Sequence, residues 1–408
     1  MACSLGNIST LLKLRPFFRP RILPVLFIFW TLPVLANSAI FQPADESVEP
    51  VREDAHSVCV VKWATRQGNS PAENRELLSW CQKAAEHGKA AAQNILGNIY
   101  LKGIGTPKDS RKAVFWYKKA ADQGYAWAQT MLGNAFYDGD GIEKDFHKAI
   151  LWWNKAALQN DVLAYYNLGL AYRYGKGVEK NPHTAFFWWE KAAAQDYALA
   201  QNTLGYAYEK GIGTEKNPEK ALFWWKKAAA QNDAAAQYNL GRAYFYGRGT
   251  EKNPEEAVFW LRKAADQEQP SAQELLGLAY ERGEGIGKDP DKAVYWYEKA
   301  SLNGSVAAQT KLGLTYLTDN RSPENDQKGI SWLKKAARQG EANAQATLGL
   351  AYLSGRGVPQ NRFYACAISC HAASKTPIAA ALCNELKHKM TPEEIRRTRL
   401  IQVKPLFD

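Results

Sequence analysis

The chain has 408 residues, of which 46% are hydrophobic and 23% charged, and its formal net charge is +11. This composition is that of an ordinary globular protein, so we expect a buried core. Beyond residue 39 the lysines alternate with acidic residues without a long basic run, which excludes nucleic acid as the expected partner.

The first 38 residues have the pattern of a secretory signal peptide. Their basic residues end at Arg21, the apolar stretch 22–36 follows, and small residues come next. This stretch contains two prolines and is shorter than the roughly 20 residues that a membrane span needs. We therefore expect an exported protein, periplasmic or secreted, without a stable membrane span after cleavage, and a linker at residues 39–53. An uncleaved signal that anchors the protein in the membrane is the alternative.

A period of 36 residues governs the rest of the sequence. Tryptophan recurs at this spacing as Trp80, Trp116, Trp152, Trp188, Trp224, Trp260, Trp296 and Trp332. Glycine recurs at the same spacing as Gly97, Gly133, Gly169, Gly205, Gly241, Gly277, Gly313 and Gly349. A fixed period of this length without insertions is typical of a repeat protein that stacks one structural unit on the next.

Each unit is predicted to form two helices joined by a short loop. In residues 90–125 apolar side chains recur at helical spacing in both halves, with the sequence GIGTPKD between them. Gly103 and Gly105 are expected to end the first helix, because glycine adopts positive φ without strain. An Asp or Asn then precedes the second helix as its N-cap. This position holds Asp109, Asp145, Asn181, Asn217, Asn253, Asp289, Asn325 and Asn361.

The recurring tryptophan favours a structural role over a ligand-stacking site. It shares a helix face with alanines, which let neighbouring helices approach, so we expect it to bury much of its surface against the next unit. The residue that follows it varies between Cys, Tyr, Trp and Leu, and this tolerance suits packing. The GxG pairs lie between two helices and no Walker-type Gly-Lys-Ser/Thr occurs, so we do not expect phosphate binding.

The motif AQxxLGxxYxxGxG…(D/N)xxKAxxWxxKAA resembles the Sel-1-like repeat, a relative of the tetratricopeptide repeat. One unit carries it at Ala128, Gln129, Leu132, Gly133, Gly139, Gly141, Asp145, Lys148, Ala149, Trp152, Lys155, Ala156 and Ala157. The resemblance covers about nine repeats in residues 54–377, and residues 378–408 look like the capping helices of such arrays. There, Thr391, Pro392 and Glu394 predict a capped helix start with a capping box.

The resemblance implies an all-α fold, a right-handed α/α superhelical solenoid whose first helices line a concave groove. It also implies a protein-protein interaction scaffold that binds a protein or peptide there, in cell-envelope assembly or in host interaction. The alternatives are an envelope enzyme, like the cysteine-rich relatives described as β-lactamases, and a binder of glycan or acidic lipid. Residues 318–329 depart from the motif because both loop glycines are missing, so this loop is a candidate for specialisation.

The sequence offers no catalytic constellation, and we assign neither a catalytic residue nor a cofactor. Of the six histidines, only His147 and His183 stand at the same repeat position. The β-lactamase motifs SxxK, SDN and KTG are not present as a set. We therefore expect a protein that is not an enzyme.

Five cysteines follow the predicted signal, near the two ends of the remaining chain: Cys59, Cys81, Cys366, Cys370 and Cys383. Because disulfides persist in the compartments that exported proteins reach, we expect one between Cys59 and Cys81 and another within the C-terminal cluster, for example between Cys370 and Cys383. An odd number leaves at least one thiol over. A zinc site that adds His371 and His388 is the alternative, and we assign no metal.

Variable positions of the first helices are the candidate binding residues. Position 94, position 98, position 101 and their equivalents in later units are spaced i, i+4 and i+7, so they form one stripe. Tyr, Arg and Asn recur there, as in recognition surfaces, and a merely solvated face is the alternative for any single residue. For groove binding we select Tyr166, Arg173, Asn202, Tyr206, Tyr238 and Arg242. The Asn and Arg side chains would bond a peptide backbone or a carboxylate.

Overall fold

The computed structural model describes residues 54–66, 70–318 and 322–407, and these residues form helices and loops without a strand. The α-helices are α1 (Ala55–Thr65), α2 (Pro71–Glu86), α3 (Ala90–Lys102), α4 (Ser110–Asp122), α5 (Ala126–Asp138), α6 (Phe146–Ala157), α7 (Val162–Tyr174), α8 (Pro182–Ala194), α9 (Ala198–Lys210), α10 (Pro218–Ala230), α11 (Ala234–Tyr246), α12 (Pro254–Asp266), α13 (Pro270–Arg282), α14 (Pro290–Leu302), α15 (Val306–Thr318), α16 (Pro323–Arg338), α17 (Ala342–Ser354), α18 (Arg362–Ala372), α19 (Pro377–His388) and α20 (Pro392–Leu400). A 3₁₀ turn follows at Lys404–Phe407. Consecutive helices pair in units of 36 residues, which confirms the predicted all-α solenoid of two-helix repeats.

The predicted signal peptide and linker, residues 1–38 and 39–53, lie outside the described residues. Within the described ranges, no helix combines the length and the apolar character that a membrane crossing requires.

The two glycines of the GxG loop have separate structural roles. The first is the C-cap of the first helix in seven repeats and has a φ between 68° and 78°. The second lets the loop lie against the preceding repeat, since a Cβ on Gly141 would stand 2.2 Å from the carbonyl oxygen of Ser110. The loop therefore fixes both the turn within a repeat and the distance to its neighbour.

The second helices begin at the predicted N-caps, with one exception. Asp145 accepts a hydrogen bond from the Lys148 backbone N–H at 3.0 Å, and the equivalent bond forms at six other repeats. The prediction of Asn325 as an N-cap was wrong. Ser322 caps α16 instead, because the loop without glycines allows Pro323 to start the helix one turn early.

The core of each repeat centres on the residue after the recurring tryptophan. Trp153, Trp189 and Trp225 are almost fully buried. The recurring tryptophans from Trp80 to Trp332 are only partly buried and pack at the rim of the core. The buried ring lies on the repeat glycine of the facing first helix, where a side chain would collide with it.

A ladder of buried glutamine side chains joins successive repeats. Gln129 Nε2 donates to the Ala121 carbonyl at 3.3 Å, and Gln129 Oε1 accepts from Gln159 Nε2 at 2.9 Å. The same acceptor bond recurs at Gln93, Gln201, Gln237, Gln273 and Gln309. Each glutamine thus satisfies buried polar groups on two sides of a repeat junction, which fixes the register of the stack.

Disulfide bonds close both ends of the described array. Cys59 pairs with Cys81, and Cys370 pairs with Cys383, as expected from the sequence. Cys366 is the remaining thiol of the described residues, and it is buried. At the C-terminus, Thr391 and Glu394 form the predicted capping box of α20.

Candidate binding face on the first helices

Cavities lie at several junctions along the first helices of the repeats. One of about 230 Å³ lies between α5 and α7, one of about 330 Å³ between α7 and α9, and one of about 430 Å³ between α15 and α17. First helices supply most of the lining residues in all three. The surface that the stripe residues of these helices share, here called the first-helix face, is therefore indented between repeats.

The cavity between α7 and α9, here called the central cavity, brings four of the six predicted groove residues together. They are Tyr166, Arg173, Asn202 and Tyr206. The remaining wall consists of Leu170, Tyr174, Trp189, Thr203, Ile212 and Asn239. The wall combines tyrosine hydroxyls and amides with apolar surface, a composition that suits the recognition of a mixed polar and apolar ligand.

Arg173 is the charged residue of this wall. It makes no ion pair or hydrogen bond with any residue in the described ranges, and its guanidinium lies 5.9 Å from the centroid of the Tyr174 ring. Among the described residues, no carboxylate lines the same cavity. The central cavity therefore presents a positive charge that no described residue neutralises.

The tyrosine and asparagine side chains of the cavity are held by neighbouring repeats. The Tyr166 ring meets the Tyr197 ring edge to face at 5.5 Å, and Asn202 Oδ1 accepts from Asn239 Nδ2 at 3.0 Å. Tyr206 is 46% exposed and lines the cavity. Contacts between successive repeats thus hold these side chains in place.

The other two predicted groove residues, Tyr238 and Arg242, do not line the central cavity. Arg242 Nη2 donates to both carboxylate oxygens of buried Glu209, at 2.8 and 2.9 Å, and Tyr238 stacks near its guanidinium. Arg242 therefore neutralises an internal acid, contrary to its expected availability for a partner. Glu209 occupies a stripe position in the repeat before Arg242, and an acidic residue at that position could have revealed the pair from the sequence.

Three buried N–H donors of these repeats lack a hydrogen-bond partner among the described residues. Trp189 Nε1, Trp225 Nε1 and Arg242 Nε are buried and have no acceptor within the described chain. By contrast, Trp153 Nε1 donates to Asn134 Oδ1 at 2.9 Å. The next two repeats carry Leu170 and Tyr206 at the position of Asn134, so the amide acceptor is lost there.

The second helices present a different surface, which the sequence analysis did not single out. The residue before the recurring tryptophan is large and about half exposed in six repeats: Phe115, Leu151, Phe187, Phe223, Phe259 and Tyr295. A lysine four residues later lies over each of the five aromatic rings, as Lys119 does over Phe115 at 4.7 Å. These exposed side chains on the second helices serve as a control for binding by the first-helix face of the same repeats.

The described residues contain no cluster of three His, Cys, Asp or Glu side chains that could hold a metal ion. Two cysteines of the zinc alternative, Cys370 and Cys383, are joined in a disulfide. His87 Nδ1 and His183 Nδ1 lie within hydrogen-bond distance of the backbone carbonyls of Lys83 and Gly213, as helix-end side chains do.

Comparison with known proteins identifies the repeat. The family model of the Sel1 repeat matches nine stretches, residues 78–89, 90–125, 128–161, 162–197, 198–233, 234–268, 270–305, 306–341 and 342–367. The chain belongs to the Sel1 repeat family. Proteins of this family are generally protein-interaction scaffolds, and the fold is typically not that of an enzyme.

Solved structures of Sel1 repeat proteins resemble this chain. A Sel1 repeat protein from Oxalobacter formigenes is 30% identical over 60% of this chain and 96% of its own, with a TM-score of 0.54. A protective antigen of uropathogenic Escherichia coli strains, which displays an SLR fold, is 27% identical over 86% of this chain and 91% of its own, with a TM-score of 0.47. No curated protein matches this Sel1 repeat chain.

Proposed function

We propose that the protein is an exported scaffold that binds a segment of a partner protein along its first-helix face. The observation that carries this proposal is the central cavity, where Tyr166, Arg173, Asn202 and Tyr206 from two successive repeats line one indentation. Aromatic, arginine and amide side chains around apolar surface are the composition of interaction hot spots. The repeat junctions on either side extend the same face, so an extended segment can contact several cavities.

Two features support export. Disulfides join Cys59 to Cys81 and Cys370 to Cys383, and such bonds persist in oxidising compartments outside the cytosol. The first 38 residues carry the basic, apolar and small-residue pattern of a secretory signal. A scaffold in the periplasm or outside the cell would meet partners of envelope assembly or of a host.

In-cell photo-crosslinking tests the proposal. A photoreactive residue replaces Tyr206 on the first-helix face, and a second variant carries it at Lys227 on α10, beside the exposed Phe223 ring. We expect a discrete protein adduct at position 206 that position 227 does not give, and mass spectrometry would name the partner. Adducts at position 227 alone, or at neither position, would contradict binding by the first-helix face.

The same purified protein tests the alternative functions. Turnover of the chromogenic β-lactam nitrocefin would support an envelope enzyme instead of a scaffold. Binding of anionic glycan or lipid vesicles that weakens steeply with salt, without any protein adduct, would support the other alternative, a binder of glycan or acidic lipid.

A further inference from the structure

We propose that the central cavity is an anchoring subsite for an acidic residue of the bound segment, with a carboxylate on Arg173 and a neighbouring carbonyl on Trp189 Nε1. This inference rests on the proposed function, because it names the chemistry of the segment that the first-helix face binds. The supporting observations are an unpartnered buried donor, an unpaired cation and a difference in charge between cavities of the same face.

The first observation is the Trp189 indole. The side chain is 3% exposed, it lines the central cavity, and its Nε1 has no acceptor among the described residues. A buried donor without a partner is costly, and native structures rarely keep one without a reason. In the preceding repeat the equivalent Trp153 is satisfied by Asn134, so the fold can supply an acceptor at this position and does not do so here. Nε1 lies against Gly169 without exposed surface, so the ligand oxygen would have to displace the Leu170 side chain and take the place that Asn134 has in the preceding repeat.

The second observation is the charge of the wall. Arg173 has no ionic partner in the described chain, whereas Arg242, one helix pair further on from Tyr206, is bound to Glu209. An unpaired guanidinium beside apolar surface favours a carboxylate, which it binds with two parallel N–H donors. Tyr166 and Tyr206 line the same cavity and bring two hydroxyl groups that can donate to a ligand.

The third observation is the contrast with the cavity between α15 and α17. That cavity is lined by Glu274 and Glu341 together with Lys311, which also pairs with Glu281 at 3.9 Å. Acidic residues would be repelled there, and the first-helix face therefore changes sign along its length. An acidic residue of the bound segment is therefore favoured in the central cavity, where Arg173 supplies the positive charge.

A display library of random nine-residue peptides, selected on the purified oxidised protein, tests the subsite. We expect the enriched peptides to share an Asp or Glu with an apolar neighbour. Arg173→Gln should weaken the best peptide by about tenfold or more, since hydrogen bonds to charged groups are worth that much. Trp189→Phe keeps a ring but removes the donor, and it should weaken the same peptide by about threefold to tenfold.

Two control variants separate the subsite from general effects. Arg111→Gln removes an equal charge from the exposed surface of α4, and Trp260→Phe removes an indole donor that Glu256 already satisfies on α12. Both should bind the peptide as the wild type does. Far-ultraviolet circular dichroism of all four variants checks that they are folded, and the Arg173 result stands even where a tryptophan variant is destabilised.

The outcomes distinguish the subsite from the proposed function. Enriched peptides without an acidic residue, bound equally by the Arg173→Gln variant, would overturn the subsite and leave the scaffold function in place. Equal losses in the Arg111→Gln variant would also overturn it, because net charge alone would then explain binding. A selection that enriches no peptide would contradict both the subsite and peptide binding by this face.

Discussion

The indole of Trp153 lies directly on Gly133, so close that a Cβ on this glycine would stand 2.5 Å from its Nε1. The same contact joins Gly169 to Trp189 and Gly205 to Trp225. The repeat glycine is therefore the place where the second helix of a repeat inserts its buried ring against the first. This relationship explains why glycine and a large residue recur at a fixed separation through the array.

Replacing Gly133 by Ala should destabilise the protein. The new methyl group would force a rigid indole out of its site, and overpacking of this kind costs about 1–3 kcal/mol. Urea unfolding followed by circular dichroism measures the effect. Gly287→Ala is the matched control, because a Cβ there meets no atom within 4 Å, and that variant should be at least as stable as the wild type. Equal stability of both variants would refute the packing argument.

The two tryptophans that differ in hydrogen bonding should respond differently to the same substitution. Trp153→Phe removes a satisfied donor and leaves Asn134 with one partner fewer, whereas Trp189→Phe removes a donor without an acceptor. Both lose the same ring volume, so the difference isolates the N–H. We expect Trp153→Phe to be the more destabilising by about 1 kcal/mol. Thermal unfolding of the two variants measures this difference. A larger loss of stability in Trp189→Phe than in Trp153→Phe would mean that the Trp189 N–H has an acceptor in the folded protein.

Glu268 occupies a backbone conformation that suits glycine. Its φ is 62°, and the equivalent positions of other repeats hold Gly88, Gly124, Gly304 and Gly340. Because the left-handed conformation costs a non-glycine residue about 1–2 kcal/mol, Glu268→Gly should raise Tm. The reverse change, Gly304→Ala, should lower it. A Glu268→Gly variant that is less stable than the wild type would count against strain at this turn.

Removing a terminal disulfide should loosen one end of the array only. Cys59→Ser/Cys81→Ser opens a loop of 22 residues, for which the loss is about 3 kcal/mol. Since each repeat contacts mainly its neighbours, amide hydrogen exchange should accelerate in α1 and α2 but not in α9. Cys370→Ser/Cys383→Ser should give the mirror pattern, in α18 and α19. Uniform acceleration along the chain in either variant would contradict local clamping.

Acid sensitivity should depend on the aspartate N-caps. The Lys292 side chain at 2.8 Å and its backbone N–H hold the pKa of Asp289 below its ordinary value of 3.8. A carboxyl with a lowered folded pKa stabilises the fold above its unfolded pKa, and this stabilisation is lost as pH falls through the folded value. Asn253 caps α12 without a charge, so Asp289→Asn should keep the cap.

The Asp289→Asn variant should therefore lose less stability than the wild type between about pH 5 and pH 2. Tm measured across this range provides the comparison. Parallel curves for the two proteins would show that Asp289 contributes nothing to acid sensitivity.

The sequence predicted the repeat architecture because the period, the glycine loops and the caps act locally. Gly103 and Asp109 determine where helices end and begin within one unit. It did not reveal which of two adjacent aromatic residues forms the core, since Trp152 and Trp153 differ by about 100° around a helix and spacing alone does not set the rotation. The structure buries Trp153 and leaves Trp152 at the rim.

The candidate site was predicted in part for a related reason. Stacking at a fixed period puts Tyr166 beside Asn202, so a stripe on one unit becomes a surface on many. The pair of Arg242 and Glu209 was missed because the sequence does not show that the Arg242 side chain extends far enough to contact Glu209 in the preceding repeat. The Gln129 ladder was missed because a buried polar residue looks like a surface residue until the junction is known.

Two double variants in the same two repeats decide whether the first helices carry the binding face. Tyr166→Ala/Tyr206→Ala removes two rings from the first-helix face, and Phe187→Ala/Phe223→Ala removes two half-exposed rings from the second helices. Calorimetry measures the affinity of each for the partner captured at position 206. We predict a loss of about tenfold or more for the first variant and an unchanged affinity for the second. An unchanged affinity for the first variant, with a loss for the second, would contradict the account.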